Sequence, residues 1–225
     1  MLRCFALGAL LAVLSAAGAA QSFEAACDAL SAPAADVRVL LAPAAAQVDE
    51  SKASREIELD TKRAGAFRHL GVTRATLLRD VDVRLDGYTD PQTGRACAWP
   101  KVKLRLRVQP LVIELARELG ADPCMRAHVF EHERQHVAIY NAAVLRAQVQ
   151  LESEMRAHFN ERQLVGDATT LMDELRAQIA DRWLARLDAL LAVAESEHDA
   201  LDATEERQAY GVCNGALSKL MKSMQ

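Results

Sequence analysis

The sequence predicts an α+β fold, in which a small antiparallel β-sheet of three or four strands is followed by a long antiparallel helical hairpin carrying the pattern H-E-x-x-H. Apolar and polar residues alternate in short segments before residue 110, and apolar residues recur at steps of three and four after residue 122. A short polar break divides the second region. We expect a single domain over residues 21–225, with a β-rich part at about 36–110 and a helical part at about 122–210.

The strand prediction depends on three alternating segments. In KVKLRLRVQP (101–110) apolar residues alternate without error against lysine and arginine. The segments REIELD (55–60) and RDVDVRLDG (79–87) have the same period with mainly acidic residues on the polar side. This period is typical of half-buried strands, so we expect the sheet to end near Pro110. The basic face of the last strand should pair with the acidic faces of the other two.

The N-terminal residues 1–20 have the layout of a secretory signal peptide. A single basic residue, Arg3, precedes an apolar run and a tract of small residues at the expected cleavage site. The apolar run is shorter than the roughly 20 residues that span a membrane. We therefore expect a periplasmic or secreted protein that is not membrane-embedded after cleavage. Residues 21–53 should form an irregular lead-in, in which only DVRVLLA (36–42) resembles a strand.

The number of cysteines predicts how the protein is cross-linked, and its charge bears on which partners are expected. Four cysteines follow the signal peptide, namely Cys27, Cys97, Cys124 and Cys213. An even number in an exported protein predicts two disulfides, and the sequence leaves all three connectivities open. The net charge is -4, and basic residues do not cluster with aromatic ones, so a nucleic acid partner is not expected.

The helical region begins where the alternating period ends. Asp122 and Pro123 are residue types preferred at the N-cap and the first position of a helix, and no proline or glycine follows until after Phe159. The segment NERQLVGD (160–167) then interrupts the pattern, and a second helical run extends beyond Ala200. Two long helices joined by a short link predict an antiparallel hairpin with an apolar core between them.

The first helix contains the segment HERQH, which matches H-E-x-x-H. Residues four apart lie about 6 Å apart on one helix face, so His132 and His136 can present ring nitrogens to one metal ion. Glu133 can act as a general base toward water activated by zinc, which is the chemistry of zinc hydrolases. His128 lies about 12 Å from His136 along the axis, and we do not expect it to reach the same ion.

A catalytic zinc site needs a third protein ligand. The predicted hairpin places residue 134 level with about residue 195 of the second helix, and the acidic segment beyond that point offers Glu195, Glu197, His198, Asp199, Asp202, Glu205 and Glu206. Continuing the apolar inward face of this helix leads to His198, Leu201 and Glu205. The helix face therefore favours Glu205, with His198 as a further candidate.

These segments together resemble an uncharacterised bacterial family of secreted zinc-dependent proteases. The resemblance covers about residues 72–213 and includes the cysteine-led strand GRACAWPKVKLRLRVQP and the H-E-x-x-H helix. The family carries a later Tyr-Asp-x-x-Thr-x-His-Gly element. The segment LDATEERQAYG keeps Asp202 and Thr204 if one residue is dropped, and Glu206 then stands where the family has histidine. The resemblance implies a zinc peptidase that acts on a peptide or protein and has a His, His, Glu ligand set.

Two other functions stay open at this stage. One is a non-catalytic periplasmic protein, whose helices bind a partner or hold a metal without turnover. The missing family histidine favours this alternative. The other is periplasmic metal storage or transfer through several histidines. The leading prediction is an exported zinc-dependent peptidase.

Overall fold

The chain forms an α+β structure with one mixed five-stranded sheet and several helices. The computed structural model describes residues 21–30, 35–42, 44–61, 70–160 and 163–223, so the expected signal peptide lies outside the described residues. Within the described part, no helix combines the length and the apolar character needed to cross a bilayer.

The strands are β1 (Asp36–Ala42), β2 (Gln47–Asp49), β3 (Gly71–Thr89), β4 (Arg95–Leu115) and β5 (Leu164–Asp167). The helices are α1 (Phe23–Ala29), α2 (Ser54–Thr61), α3 (Pro123–Asn160), α4 (Leu171–Gln178), α5 (Ala185–Leu191), α6 (Val193–Gln208) and α7 (Ala216–Ser223). A short 3-10 segment occupies Arg117–Ala121, and a π-helical turn over Ile179–Leu184 joins α4 to α5. Residues Ala209–Gly215 form a kinked connection between α6 and α7, in which Val212, Cys213 and Asn214 are not helical.

Strand β4 is the centre of the sheet, because every other strand pairs with it. β3 and β5 run antiparallel to β4, whereas β1 and β2 run parallel to it. The prediction of a purely antiparallel sheet is therefore wrong. The parallel strands come from the part of the chain expected to be irregular, where Val37 and Val39 of β1 are fully buried. Leu40 and Leu41 follow these valines directly, which obscures the alternation in the sequence.

Residues 55–60 form part of helix α2 instead of the expected strand. Ile57 is fully buried, whereas Leu59 is 68% exposed, so the two residues do not share one buried face. The Glu56 carboxylate accepts a hydrogen bond of 2.6 Å from the backbone N–H of Ala53, as in a helix capping box. Two alternating apolar residues are too few to distinguish a strand from a helical turn.

Strand β4 continues past Pro110, where we expected the sheet to end. Its pairing with β3 shifts register between Ala75 and Leu77, opposite Gln109 and Pro110. From Val102 onward, the buried apolar residues of β4 have even numbers before this irregularity and odd numbers after it: Val102, Leu104, Leu106, Val108, Leu111, Ile113 and Leu115. The bulge therefore keeps the apolar side chains on one face and accommodates a proline that cannot donate to the ladder.

Helix α3 has the predicted position. The Asp122 carboxylate accepts hydrogen bonds of 3.1 Å from the backbone N–H groups of Cys124 and Met125, so it caps the helix start. The helix crosses the sheet and contacts β1, β3 and β4 on one side and α5 and α6 on another. The H-E-x-x-H segment lies near the end of the sheet where β3 begins, because Thr73 of β3 contacts Glu133.

The predicted second long helix is divided into α4, the π-helical turn, α5 and α6. Leu175, Ile179, Trp183 and Leu187 are buried against the same core as Leu151, Met155 and Phe159 of α3. The core between the two helical regions is therefore apolar over the length of α4 and α5. Burial then changes, because only Ala194 and Asp202 are buried among the 16 residues of α6.

Two disulfides connect the helices to the rest of the fold, as predicted. Cys27–Cys97 joins α1 to β4, and Cys124–Cys213 joins the first turn of α3 to the kinked connection after α6. The second disulfide thus starts within the helix that carries H-E-x-x-H and holds the far end of α6 next to it. Cross-links of this length stabilise a fold by about 4 kcal/mol, chiefly by restricting the unfolded chain.

Candidate metal centre

Helices α3 and α6 meet along three pairs of polar side chains. His136 lies opposite His198, with 2.8 Å between their Nδ1 atoms. One helical turn away, His132 and His136 both contact Asp202. A further turn along, Nε2 of His128 lies 2.6 Å from Oε1 of Glu205. The two helices are thus antiparallel here, and their facing side chains are imidazoles and carboxylates.

The central pair of this interface gathers three potential metal ligands. Nε2 of His132 lies 3.0 Å from Nε2 of His136. Oδ1 of Asp202 lies 3.2 Å from the first of these nitrogens and 2.9 Å from the second. The three residues are only 5%, 8% and 6% exposed, respectively. A buried His132, His136 and Asp202 group could therefore hold a metal ion.

Hydrogen bonds cannot satisfy all three contacts of this triangle. Each imidazole Nε2 either carries one proton or presents one lone pair. If both Nε2 atoms donate to Asp202, their two N–H groups face each other across 3.0 Å. If one Nε2 donates to the other instead, the accepting Nε2 has no proton, and its lone pair faces the Asp202 carboxylate. A shared cation satisfies all three atoms at once.

The spacing of the three atoms also suits an ion of zinc size. Zinc binds imidazole nitrogen and carboxylate oxygen at about 2.0 to 2.2 Å, which corresponds to ligand atoms roughly 3.3 Å apart in a tetrahedral site. The observed separations of 2.9 to 3.2 Å are slightly shorter and require only a small opening of the triangle. Two imidazoles and one carboxylate leave a further coordination position for water or substrate.

Glu133 is buried beside this group, with 4% exposure. The Thr73 hydroxyl lies 2.8 Å from Oε2 of Glu133 and 3.0 Å from its backbone oxygen, so it can donate to either. Gly71, two residues earlier in β3, faces the same side chain, and a Cβ atom there would lie 2.9 Å from Oε1 of Glu133. Strand β3 therefore fixes the position of the Glu133 carboxylate.

Burial sets the protonation of the Glu133 carboxyl. Removal from water raises its pKa, and the charges of His136 and His132 and the Thr73 hydrogen bond offset this only in part. For His132, burial opposes the charged form, but the hydrogen bond to Asp202 and the charges of nearby carboxylates hold its pKa above the ordinary value. The site thus concentrates negative charge around the imidazoles and favours a bound cation.

The structure brings together some of the residues selected from the sequence. His132 and His136 converge on one point, and Glu133 lies next to them. Glu205 lies slightly less than one helical turn beyond Asp202, where its Oε1 contacts His128 and its Oε2 is 3.8 Å from Nδ1 of His132. Glu206 is exposed and lies about 6 Å farther along the axis than Asp202. Neither glutamate is in the group of three ligands.

Asp202, one of the seven candidates in the acidic segment, is the third member of the group, although the sequence favoured Glu205 and Glu206. The predicted inward face continues from His198 by a step of three to Leu201, whereas the structure continues it by a step of four to Asp202. The resemblance contained the relevant signal, because Asp202 occupies the position of the aspartate in the family's Tyr-Asp element.

No protein-family model, no curated protein and no solved structure matches this chain.

Proposed function

We propose that this protein is an exported zinc-dependent peptidase, with His132, His136 and Asp202 as zinc ligands and Glu133 as the general base. One observation carries the proposal: two imidazole nitrogens and a carboxylate oxygen converge in a buried site beside a second buried carboxylate. This is the ligand chemistry of catalytic zinc sites in peptidases. The resemblance to secreted zinc-dependent proteases supports the same assignment.

The role of Glu133 follows from its position and its environment. A bound zinc ion supplies the Lewis-acid chemistry that allows water to attack a peptide carbonyl at neutral pH. Glu133 takes the proton from the attacking water and returns it to the leaving amine. Burial raises the pKa of Glu133, which brings this carboxyl closer to the working pH of a general base. Thr73 orients the carboxylate through its hydroxyl.

Export is part of the proposal. The two disulfides are compatible with an oxidising compartment, and the N-terminal segment has the composition of a signal peptide. The peptidase therefore acts in the periplasm or outside the cell, on a peptide or protein substrate.

The test uses the protein expressed with its own N-terminal segment and purified from the periplasm or the medium. We expect one zinc per chain by elemental analysis, with zinc measured against iron because two histidines and a carboxylate also hold Fe(II). Asp202→Ala should lose the metal, whereas Asp199→Ala, an exposed aspartate on the same helix, should retain it. Absence of bound metal from the wild-type protein after incubation with zinc contradicts the proposal.

Activity is tested separately with a fluorescent casein or a peptide library. Glu133→Gln should keep zinc and lose hydrolysis by at least about 100-fold, because it removes the proton acceptor. Glu131→Gln is the matched control, since this neighbouring glutamate is exposed and pairs with Arg134. Equal hydrolysis by wild type and Glu133→Gln rules out the assigned role of Glu133.

The burial of the three ligands favours a second candidate, a non-catalytic metal-binding protein. All three are less than 10% exposed, and His198 contacts His136 from α6. Tight binding of one zinc without hydrolysis of any peptide in a diverse library would support this candidate over the peptidase.

A further inference from the structure

We infer that His198 and Glu205 are positioning residues, which hold the two ligand imidazoles in the orientation that metal binding requires. This inference rests on the proposed metal site. It assigns a function to two residues of α6 that lie outside the ligand group and contact its histidines from the other side.

The two ligand histidines use their ring nitrogens in the same way. In both rings Nε2 points to Asp202, and Nδ1 points to a second residue of α6. For His136 the second residue is His198, with 2.8 Å between the Nδ1 atoms. For His132 it is Glu205, whose Oε2 lies 3.8 Å from Nδ1. The Nε2 atoms are therefore the ones available to a shared ion.

This arrangement determines which tautomer each imidazole adopts. A neutral imidazole has one N–H and one lone pair, so a proton held at Nδ1 leaves the lone pair on Nε2. His198 holds the proton of His136 by accepting a hydrogen bond at its own Nδ1. Glu205 favours a proton on Nδ1 of His132 through its negative charge. Outer partners of this kind fix the ligand ring and increase its basicity toward the metal.

The position of Glu205 is itself fixed by His128. Nε2 of His128 lies 2.6 Å from Oε1 of Glu205, which leaves Oε2 on the side of His132. The Glu205 side chain is 12% exposed, so water screens its charge only weakly. His128 thus contributes to the site although it is too far along α3 to reach the ion, so that His128, His132 and His136 act as one row along this helix.

The test compares metal affinity and ligand geometry in single variants. Zinc affinity is measured by competition with a chelator, and the visible d–d spectrum of the cobalt-substituted protein reports the coordination geometry. Loss of an outer partner typically weakens metal binding by about 10-fold to 100-fold. We expect losses in this range for His198→Ala and Glu205→Ala, together with an altered cobalt spectrum.

Conservative variants distinguish positioning from a general effect on folding. His198→Gln keeps a hydrogen-bond acceptor and Glu205→Asp keeps the negative charge, and each should recover part of the affinity lost in the alanine variant. Asp199→Ala and Glu206→Ala, two exposed positions of the same helix, should keep wild-type affinity and spectrum. Circular dichroism and the thermal midpoint confirm that each variant is folded.

The outcomes separate this inference from the proposed function. If the wild-type protein binds zinc and both alanine variants match its affinity and cobalt spectrum, the positioning role is wrong and the metal site stands. If the wild-type protein binds no zinc or cobalt, the metal site itself fails and the inference fails with it.

Discussion

Gly71 and Glu133 approach each other so closely that a single added methyl group at Gly71 would collide with the carboxylate. A Cβ atom there would lie 2.9 Å from Oε1 of Glu133 and 2.7 Å from Cγ1 of Val129. The glycine therefore allows β3 to pack directly on the helix turn that carries the proposed general base. A residue with a side chain at this position would not allow β3 and α3 to approach each other this closely.

Gly71→Ala should consequently displace Glu133 and lower stability. We expect an overpacking cost of about 1 to 3 kcal/mol in the free energy of unfolding, measured by urea denaturation. Hydrolysis should fall more than zinc content, because the contact involves Glu133 and none of the three ligands. Gly120→Ala is the control, since nothing lies within 4 Å of a Cβ atom at Gly120. Unchanged stability and activity in Gly71→Ala would show that the helix can move away without cost.

Thr73 should affect hydrolysis without affecting metal binding. Thr73→Val keeps the shape of the side chain and removes the hydroxyl that lies 2.8 Å from Oε2 of Glu133. This hydrogen bond lowers the pKa of Glu133, so its loss raises that pKa further and shifts the acidic limb of the pH–rate profile upward. Thr73→Ser keeps the hydroxyl and should keep the profile. An identical pH–rate profile for Thr73→Val would show that the Thr73 hydroxyl does not influence Glu133.

Metal should order helix α6 more than the rest of the chain. Only Ala194 and Asp202 of this helix are buried, so its attachment to α3 depends on polar contacts and on the Cys124–Cys213 disulfide. At a zinc concentration about 100 times the dissociation constant, binding raises the free energy of unfolding of the protein by about 2.7 kcal/mol. We expect zinc to slow amide hydrogen exchange in α6, with much smaller changes in β4. Uniform slowing across the chain would contradict this local coupling.

The Cys124–Cys213 disulfide should have a large effect on stability and a further effect on the site. Replacing both cysteines by alanine removes a cross-link of 89 residues and should cost about 4 kcal/mol in the free energy of unfolding. Zinc affinity should fall as well, because α6 then has a freer C-terminal end. The Cys27–Cys97 double variant is the control: it should lose stability while retaining zinc affinity, since its cross-link joins α1 to β4.

One ion pair between helices should make stability depend on acidic pH. Arg186 donates two hydrogen bonds, of 2.9 and 2.7 Å, to the Glu154 carboxylate and lowers the pKa of Glu154 to about 2. The depressed pKa stabilises the fold above about pH 4.5, and this contribution is lost as pH falls toward 2. The pair is about one third exposed, so we expect Glu154→Gln to cost about 1 kcal/mol at pH 7.

The corresponding measurement is urea denaturation of metal-free protein at pH 7 and at pH 3.5. The difference between wild type and Glu154→Gln should shrink at the lower pH, where part of the wild-type advantage is lost. Glu131→Gln removes an exposed glutamate of the same helix and should differ from wild type by less than about 0.5 kcal/mol at either pH. A difference that is constant with pH would show that the ion pair does not stabilise the fold.

Local patterns predicted the local features of this protein. The Asp122 cap, the start of α3 and the positions of His132 and His136 depend on neighbours within a few residues, and the sequence contains that information. The parallel pairing of β1 with β4 joins residues more than 60 positions apart, and no local period encodes it. The sequence did not single out Asp202 among its candidates for a related reason, because the rotation of α6 about its axis is set by its packing on α3.

The π-helical turn over Ile179–Leu184 has a consequence for how the chain tolerates changes in length. A π-helical turn takes up about one more residue than an α-helical turn. Deleting one residue there should convert the turn to regular α-helix and leave α6 in place, so that Asp202 still faces the histidines of α3. Deleting one residue between Ala194 and Asp202 should instead rotate the rest of α6 by about 100° and abolish zinc binding. Two deletions of equal size should thus have opposite outcomes for the metal site.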